Sequence, residues 1–228
     1  MSRSEADRVN LQLQRLASEH HNRNTHALQL LYAIEGFLRR LSRSGYRDRL
    51  VLKGAMLLAV LSARRTTKDA DLSAQGIPND EASVAAVVAA TALPESDQIV
   101  FDPASITTES MREGASYRGV RAKLPAAIGS ARVVVTLDFS FGDPGEVEEI
   151  CYPEILGGAG IALRAYPIER IMAEKVATMI ERGELNTRDR DFADVWVLSR
   201  IHPIAAAPLI RDDAGVLVAW SPDTCRWT

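Results

Sequence analysis

Cys151 and Cys225 are the only cysteines, and they stand far apart with no C-x-x-C pair. That leaves no zinc-ribbon spacing and no dithiol redox motif. No apolar run reaches the ~20 residues that a membrane helix requires. The N-terminal stretch MSRSEADRVNLQLQRLASEHHNRN is too polar for a signal peptide. A cytoplasmic protein with no membrane association is therefore expected. A Walker P-loop, G-x-G-x-x-G, H-E-x-x-H and G-x-S-x-G are all missing, which removes the P-loop, dinucleotide-binding, zincin and serine-hydrolase readings. Excess positive charge is missing too. With 27 Lys and Arg against 30 Asp and Glu, the net charge of −3 speaks against coating nucleic acid by bulk electrostatics.

What is present is an ordinary globular balance, 46% hydrophobic and 25% charged over 228 residues. A chain of this length buries enough surface to fold without disulfides. Charge is spread unevenly. Nine basic residues (Arg39, Arg40, Arg43, Arg47, Arg49, Lys53, Arg64, Arg65 and Lys68) are opposed within that stretch only by Asp48. Such a zone either receives a polyanion or is a solvated helix face.

Apolar spacing predicts helices over 6–19, 25–44, 80–91, 168–182 and 188–200. Short strands are expected around 49–53 and 69–73. From residue 97 the pattern turns to β, with strands over 117–124 and 132–141 joined by a turn at 125–130 as an antiparallel hairpin. A loop carrying Gly157-Gly158 follows, and residues after Arg200 are weakly patterned. The fold expected is α+β: a mixed β-sheet core with helices packed around it and a helical C-terminal portion. We divide it into residues 1–150, the N-terminal helices plus catalytic core, and 151–228, a helical part completing the site.

Four groups of residues carry possible chemistry. On a strand, Asp69 and Asp71 share one face while Ala70 and Leu72 take the other. Two such carboxylates repel unless a cation lies between them, and hard cations such as Mg²⁺ favour that environment. Asp138 stands on a strand whose opposite face is Val133, Val135, Leu137 and Phe139. It either meets a metal or cationic partner, or ends the strand in solvent. Lys175 falls within the apolar stripe Ile168, Ile171, Met172, Val176, Met179 and Ile180. It is either paired in a cleft, or lays its stem on the core with its ammonium in water. If the stripe alone decides, Lys175→Met is tolerated by the fold. Asp191, on the inner side of the next helix, is placed to orient Lys175 by a charge-assisted hydrogen bond. Finally, Gly54 between a strand and a helix permits close approach of a phosphate.

In sequence order these pieces resemble a known pattern. Lys53-Gly54-Ala55, thirteen intervening residues and Asp69-Ala70-Asp71-Leu72 resemble the G-[GS]…D-x-D signature of DNA polymerase β-like nucleotidyltransferases. Arg65-Thr66-Thr67-Lys68-Asp69-Ala70-Asp71, Ala173-Glu174-Lys175 and Asn186-Thr187-Arg188-Asp189-Arg190-Asp191-Phe192-Ala193-Asp194 resemble blocks of the AbiEii/AbiGii toxin family. Two positions depart from the pattern: Ala55 replaces the usual Gly or Ser, and Ala70 the usual Ile.

The resemblance implies a toxin of a bacterial toxin–antitoxin pair, a metal-dependent nucleotidyltransferase using a nucleoside triphosphate and one or two Mg²⁺. Asp69, Asp71 and Asp138 would be the metal ligands, with Lys175 and Asp191 completing the catalytic set. Gly54, Ala55, Arg65, Lys68, Lys175 and Arg188 would meet the nucleotide. The acceptor implied is RNA, for some members the tRNA 3′ end, with a cognate antitoxin protein as partner; no DNA is expected. The basic zone is the expected place for RNA. Two alternatives stay open: the acceptor is a protein or a small molecule, or the chain is a degenerate module that only binds nucleotide.

Overall fold

The computed structural model describes residues 4–19, 24–60, 67–113, 117–142, 145–182 and 189–201. The fold is built on one mixed sheet of eight strands: β1 (Leu50–Lys53), β2 (Asp69–Ala74), β3 (Ile99–Phe101), β4 (Thr107–Glu113), β5 (Tyr117–Ile128), β6 (Ala131–Phe141), β7 (Glu148–Tyr152) and β8 (Ile161–Ala165). Their order is β3-β5-β6-β2-β1-β8-β7, with β4 also on β5. β2 runs parallel to β6 and β1 parallel to β8, and the remaining pairs are antiparallel. The sheet thus continues past residue 150 through β7 and β8.

Helices α1 (Glu5–Glu19), α2 (Thr25–Arg43) and α3 (Glu81–Thr91) precede or interrupt the strands, and α4 (Ile168–Arg182) and α5 (Asp189–Ile201) follow them. Asn24 caps α2 by accepting from the His26 amide, and Asp80 caps α3 by accepting from the Ser83 amide. Helix α2 packs on β6 and β8, with α1 and α3 beside it. Leu28, Leu31, Ile34, Phe37, Leu38 and Leu41 of α2 are buried, as are Leu52, Leu72, Leu137 and Ala165 of the sheet. Three of these sheet residues are linked by register, Leu52 to Leu72 and to Ala165, and Leu137 lies on the same face two residues before Phe139, the partner of Leu72. They mark the core face. Their neighbours along each strand take the opposite face, where Lys123 and Val134 are exposed. Among the described residues no helix is long and apolar enough to cross a membrane.

Two sequence expectations change here. The turn expected over 125–130 is only Gly129-Ser130, and β5 runs on to Ile128. Pro125 is tolerated because it falls where β4 has ended and β3 has not begun on that side of β5. Its carbonyl there accepts from the Asp102 amide at 2.9 Å instead. The basic zone is also not a free polycationic surface. Arg39 pairs with Asp97 and Glu154, Arg40 with Asp97, Arg43 with Glu95 and Arg47 with Glu149. Arg49 donates to the carbonyls of Gln75 and Gly76. The opposing acids lie 50 residues or more away in sequence, so the local run looked unopposed. Lys53 is half-buried and Lys68 exposed, while Arg64 and Arg65 lie outside the described residues.

Arg40 is the innermost of this group, its side chain 2% exposed. It also donates to the carbonyls of Gly36, Leu93 and Ile99 and lies 4.7 Å from the Phe101 ring centroid. Removing one partner of a buried pair strands the other charge. Arg40→Ala is therefore expected to lower unfolding stability by about 3 kcal/mol in a denaturant titration, whereas exposed Arg43→Ala changes it by less than about 0.5 kcal/mol.

Candidate active site

The parallel pairing of β2 with β6 aligns Asp71 with Asp138 and Asp69 with Thr136. Neighbouring strands lie about 4.8 Å apart, so three carboxylates gather on the face opposite the core. All three are half-buried, while Ala70, Leu72, Leu137 and Phe139 between them are buried. The strand alternation expected from the sequence is what the structure shows.

Each acid has its own setting. Thr67 Oγ1 donates to Asp69 Oδ1 at 3.0 Å. Asp71 faces Gly54, which has φ of +70°, and a Cβ there would fall 2.1 Å from Asp71 Oδ2. Any side chain at position 54 would therefore displace the carboxylate, in a backbone conformation that already favours glycine. Ala55 follows at the start of a short 3-10 turn, Gly54–Ala59. Lys53 is the register partner of Asp71 across β1 and β2, and so stands on the same face.

Asp138 is gripped by Arg121, a residue of β5 opposite it in register. Nε and Nη2 of the guanidinium donate to Oδ1 and Oδ2, each at 2.7 Å. This hydrogen-bonded pair raises the pKa of Arg121 above its ordinary value despite partial burial, with smaller contributions from Asp69 and Glu109. Beyond Arg121 on the same face, Lys123 pairs with Glu109 at 3.2 Å.

The second group lies on the helices. Lys175 Nζ reaches Asp191 Oδ1 at 2.7 Å and Asp194 Oδ2 at 2.9 Å. The expected Lys175–Asp191 bond is present. Asp194, 5% exposed, completes the trio. Two of the three ammonium donors are thereby used, which leaves one for an outside acceptor. Ile180, counted in the apolar stripe, is 57% exposed.

The structure therefore places the expected residues in two groups, one on β2 and β6 and one on α4 and α5. Lys68 is exposed beside Asp69; Arg65 and Arg188 lie outside the described residues. Arg121, Thr67 and Asp194 were not singled out from the sequence. Arg121 was detectable in principle, because it alternates with the apolar Val120, Ala122 and Leu124. Among the described residues no three His, Cys, Asp or Glu side chains converge closely enough to hold a metal as they stand. Both oxygens of Asp138 turn to Arg121. The donor set itself, Asp71 and Asp138 in register with Asp69 on the same face, beside a glycine with no Cβ, suits a hard divalent cation.

A mixed sheet with a carboxylate cluster on β2 and β6, backed by helices, is a nucleotidyltransferase fold. It is similar to the crystal structure of JHP933 from Helicobacter pylori, with a TM-score of 0.51 at 17% identity, over 76% of this chain and 66% of that one. A second H. pylori protein, whose structure is named for nucleotidyl transfer, matches with a TM-score of 0.53 at 20% identity, over 78% of this chain and 70% of that one. The chain thus spans about two thirds of the length of these proteins. No curated protein sequence matches it. The family pattern described as nucleotidyl transferase AbiEii toxin, type IV toxin–antitoxin system, matches residues 36–223. The chain belongs to this family.

The trio corrects one expectation. Lys175→Met would suit the helix stripe, yet it would leave half-buried Asp191 and buried Asp194 without their cation. Thermal or denaturant unfolding of Lys175→Met is expected to show a loss of about 3 kcal/mol, of which Asp194→Asn in the same chain restores a part.

Proposed function

We propose that the chain moves a nucleoside monophosphate from a nucleoside triphosphate to an RNA acceptor, the tRNA 3′ end being the favoured target, and that this arrests translation. The observation that carries the reading is Asp71 in register with Asp138, with Asp69 two residues away on the same face of β2, beside Gly54. Asp69, Asp71 and Asp138 would hold one or two Mg²⁺. The metal would supply charge neutralisation of the triphosphate and activation of the acceptor hydroxyl.

The chain's own residues do the rest. Gly54, lacking a Cβ, leaves room beside Asp71 for a phosphate, and the amide of Ala55 remains available to it. Thr67 fixes the rotamer of Asp69. Lys175, held by Asp191 and Asp194, directs its remaining N–H at a phosphate oxygen and places positive charge where negative charge grows during transfer. Lys53, Lys68, Arg65 and Arg188 add positive charge near the nucleotide. The acids stand on a sheet face that continues over solvent-facing Lys123 and Val134, an arrangement that favours a macromolecular acceptor over a small molecule enclosed in a cavity. The family supports an antitoxin partner.

Incubation with Mg²⁺, total tRNA and each labelled nucleoside triphosphate in turn tests the reading. Label is expected on RNA with one or two of the nucleotides, and Asp71→Ala is expected to lose it by at least about a hundredfold while melting like the parent. Label on protein or on a small molecule instead would overturn the choice of acceptor. An active Asp71→Ala would overturn the metal assignment.

A further inference from the structure

We propose that Arg121 is the resting counter-ion of the carboxylate cluster and is displaced from Asp138 when a divalent cation enters. Arg121 would then position Asp138 and set how tightly the site takes its metal. The inference rests on reading Asp69, Asp71 and Asp138 as the metal-facing acids.

The geometry carries the argument. Three carboxylates at adjacent strand positions repel one another, and the cluster needs a cation whether or not metal is present. Arg121 supplies one from the next strand, in register with Asp138 and bonded to both of its oxygens at 2.7 Å. A bidentate grip of this kind is a strong and directional contact. It aims both oxygens of Asp138 toward β5, away from Asp71 on β2. A divalent ion between Asp71 and Asp138 would need one of those oxygens turned back. It would also bring a second cation against the same carboxylate, where two like charges oppose each other.

The side chains are built for such an exchange. Asp138 is 14% exposed and stays fixed on its strand, while Arg121 is 34% exposed and has solvent to move into. Glu109, paired with Lys123, lies beside it on β4, across from Arg121 in register, as a second acid that the freed guanidinium can join. Once released, its fork of donors stays tethered next to the site, suited in shape and charge to a phosphate oxygen.

The test is titration of the full-length protein with Mn²⁺, following the free ion by electron paramagnetic resonance. Arg121→Gln is expected to bind Mn²⁺ about tenfold more tightly than the parent, since it removes the competing charge. If the competition is for Asp138 itself, the gain falls below about twofold when the same change is made in Asp138→Asn. No gain, weaker binding, or an equal gain in both backgrounds would overturn the proposal. The first two would mean that Arg121 helps to present Asp138 to the metal, the third that its charge acts at a distance. Should Arg121→Gln fail to fold, Arg121→Lys serves in its place, because it keeps the charge but loses the two-point grip. A smaller gain that again needs Asp138 supports the proposal, and none overturns it. Mn²⁺ binding undiminished by Asp71→Asn would overturn the underlying assignment of the acids, a result distinguishable from failure of the exchange alone.

Discussion

The register between β2 and β6 is the constraint on which the rest of the molecule turns. Parallel pairing stacks Asp71 directly beside Asp138, an unfavourable arrangement for the acids themselves. It is imposed by their neighbours. Leu72 and Leu137 lie on the opposite face, fully buried beneath α2. A slip of one residue would turn the leucines to solvent and the aspartates into the core. Hydrophobic burial thus holds the carboxylates in a repulsive alignment that electrostatics alone would disperse. Nearby positions then answer the repulsion: a guanidinium on β5, a lysine at the end of β1, and a glycine that yields space.

Much of this was legible in the sequence. Alternation on β2 and β6 placed Asp69, Asp71 and Asp138 on polar faces, because their strand neighbours are plainly apolar. The helical spacing of α4 and α5 foretold the bond between Lys175 and Asp191. What escaped notice depended on pairing between distant segments. The expected turn over 125–130 would set Arg121 near Val134, whereas the two-residue turn at Gly129-Ser130 sets it against Asp138. A proline inside the strand concealed the true turn, since local chemistry cannot reveal a gap between two partner strands. β7 and β8 look like loop in the sequence for a related reason: each is only five residues long and takes its form from pairing.

Charge gave the sharpest contrast between local and tertiary reading. The arginines of α2 and the loop after it look like a surface for a polyanion, yet most are matched by acids from the loop around residues 95–97, from β7 and from the loop after β7. They tie α2 and the segment after it to those acids. The cations that matter at the candidate site are fewer and come from strands and from α4. A basic run counts as a binding surface only after its partners in space are known.

The parallel pairing of β1 with β8 joins Leu52 to Ala165, more than a hundred residues further along the chain. Helix α4 begins just after that junction, so the position of Lys175 depends on the pairing of β8 with β1. Asp194 arrives later still. During synthesis the ribosome therefore releases the acidic half of the site well before the cationic half. A nascent chain halted short of α5 carries the carboxylates without the Lys175 trio. The residues proposed for the site are therefore all present only once α5 has been made.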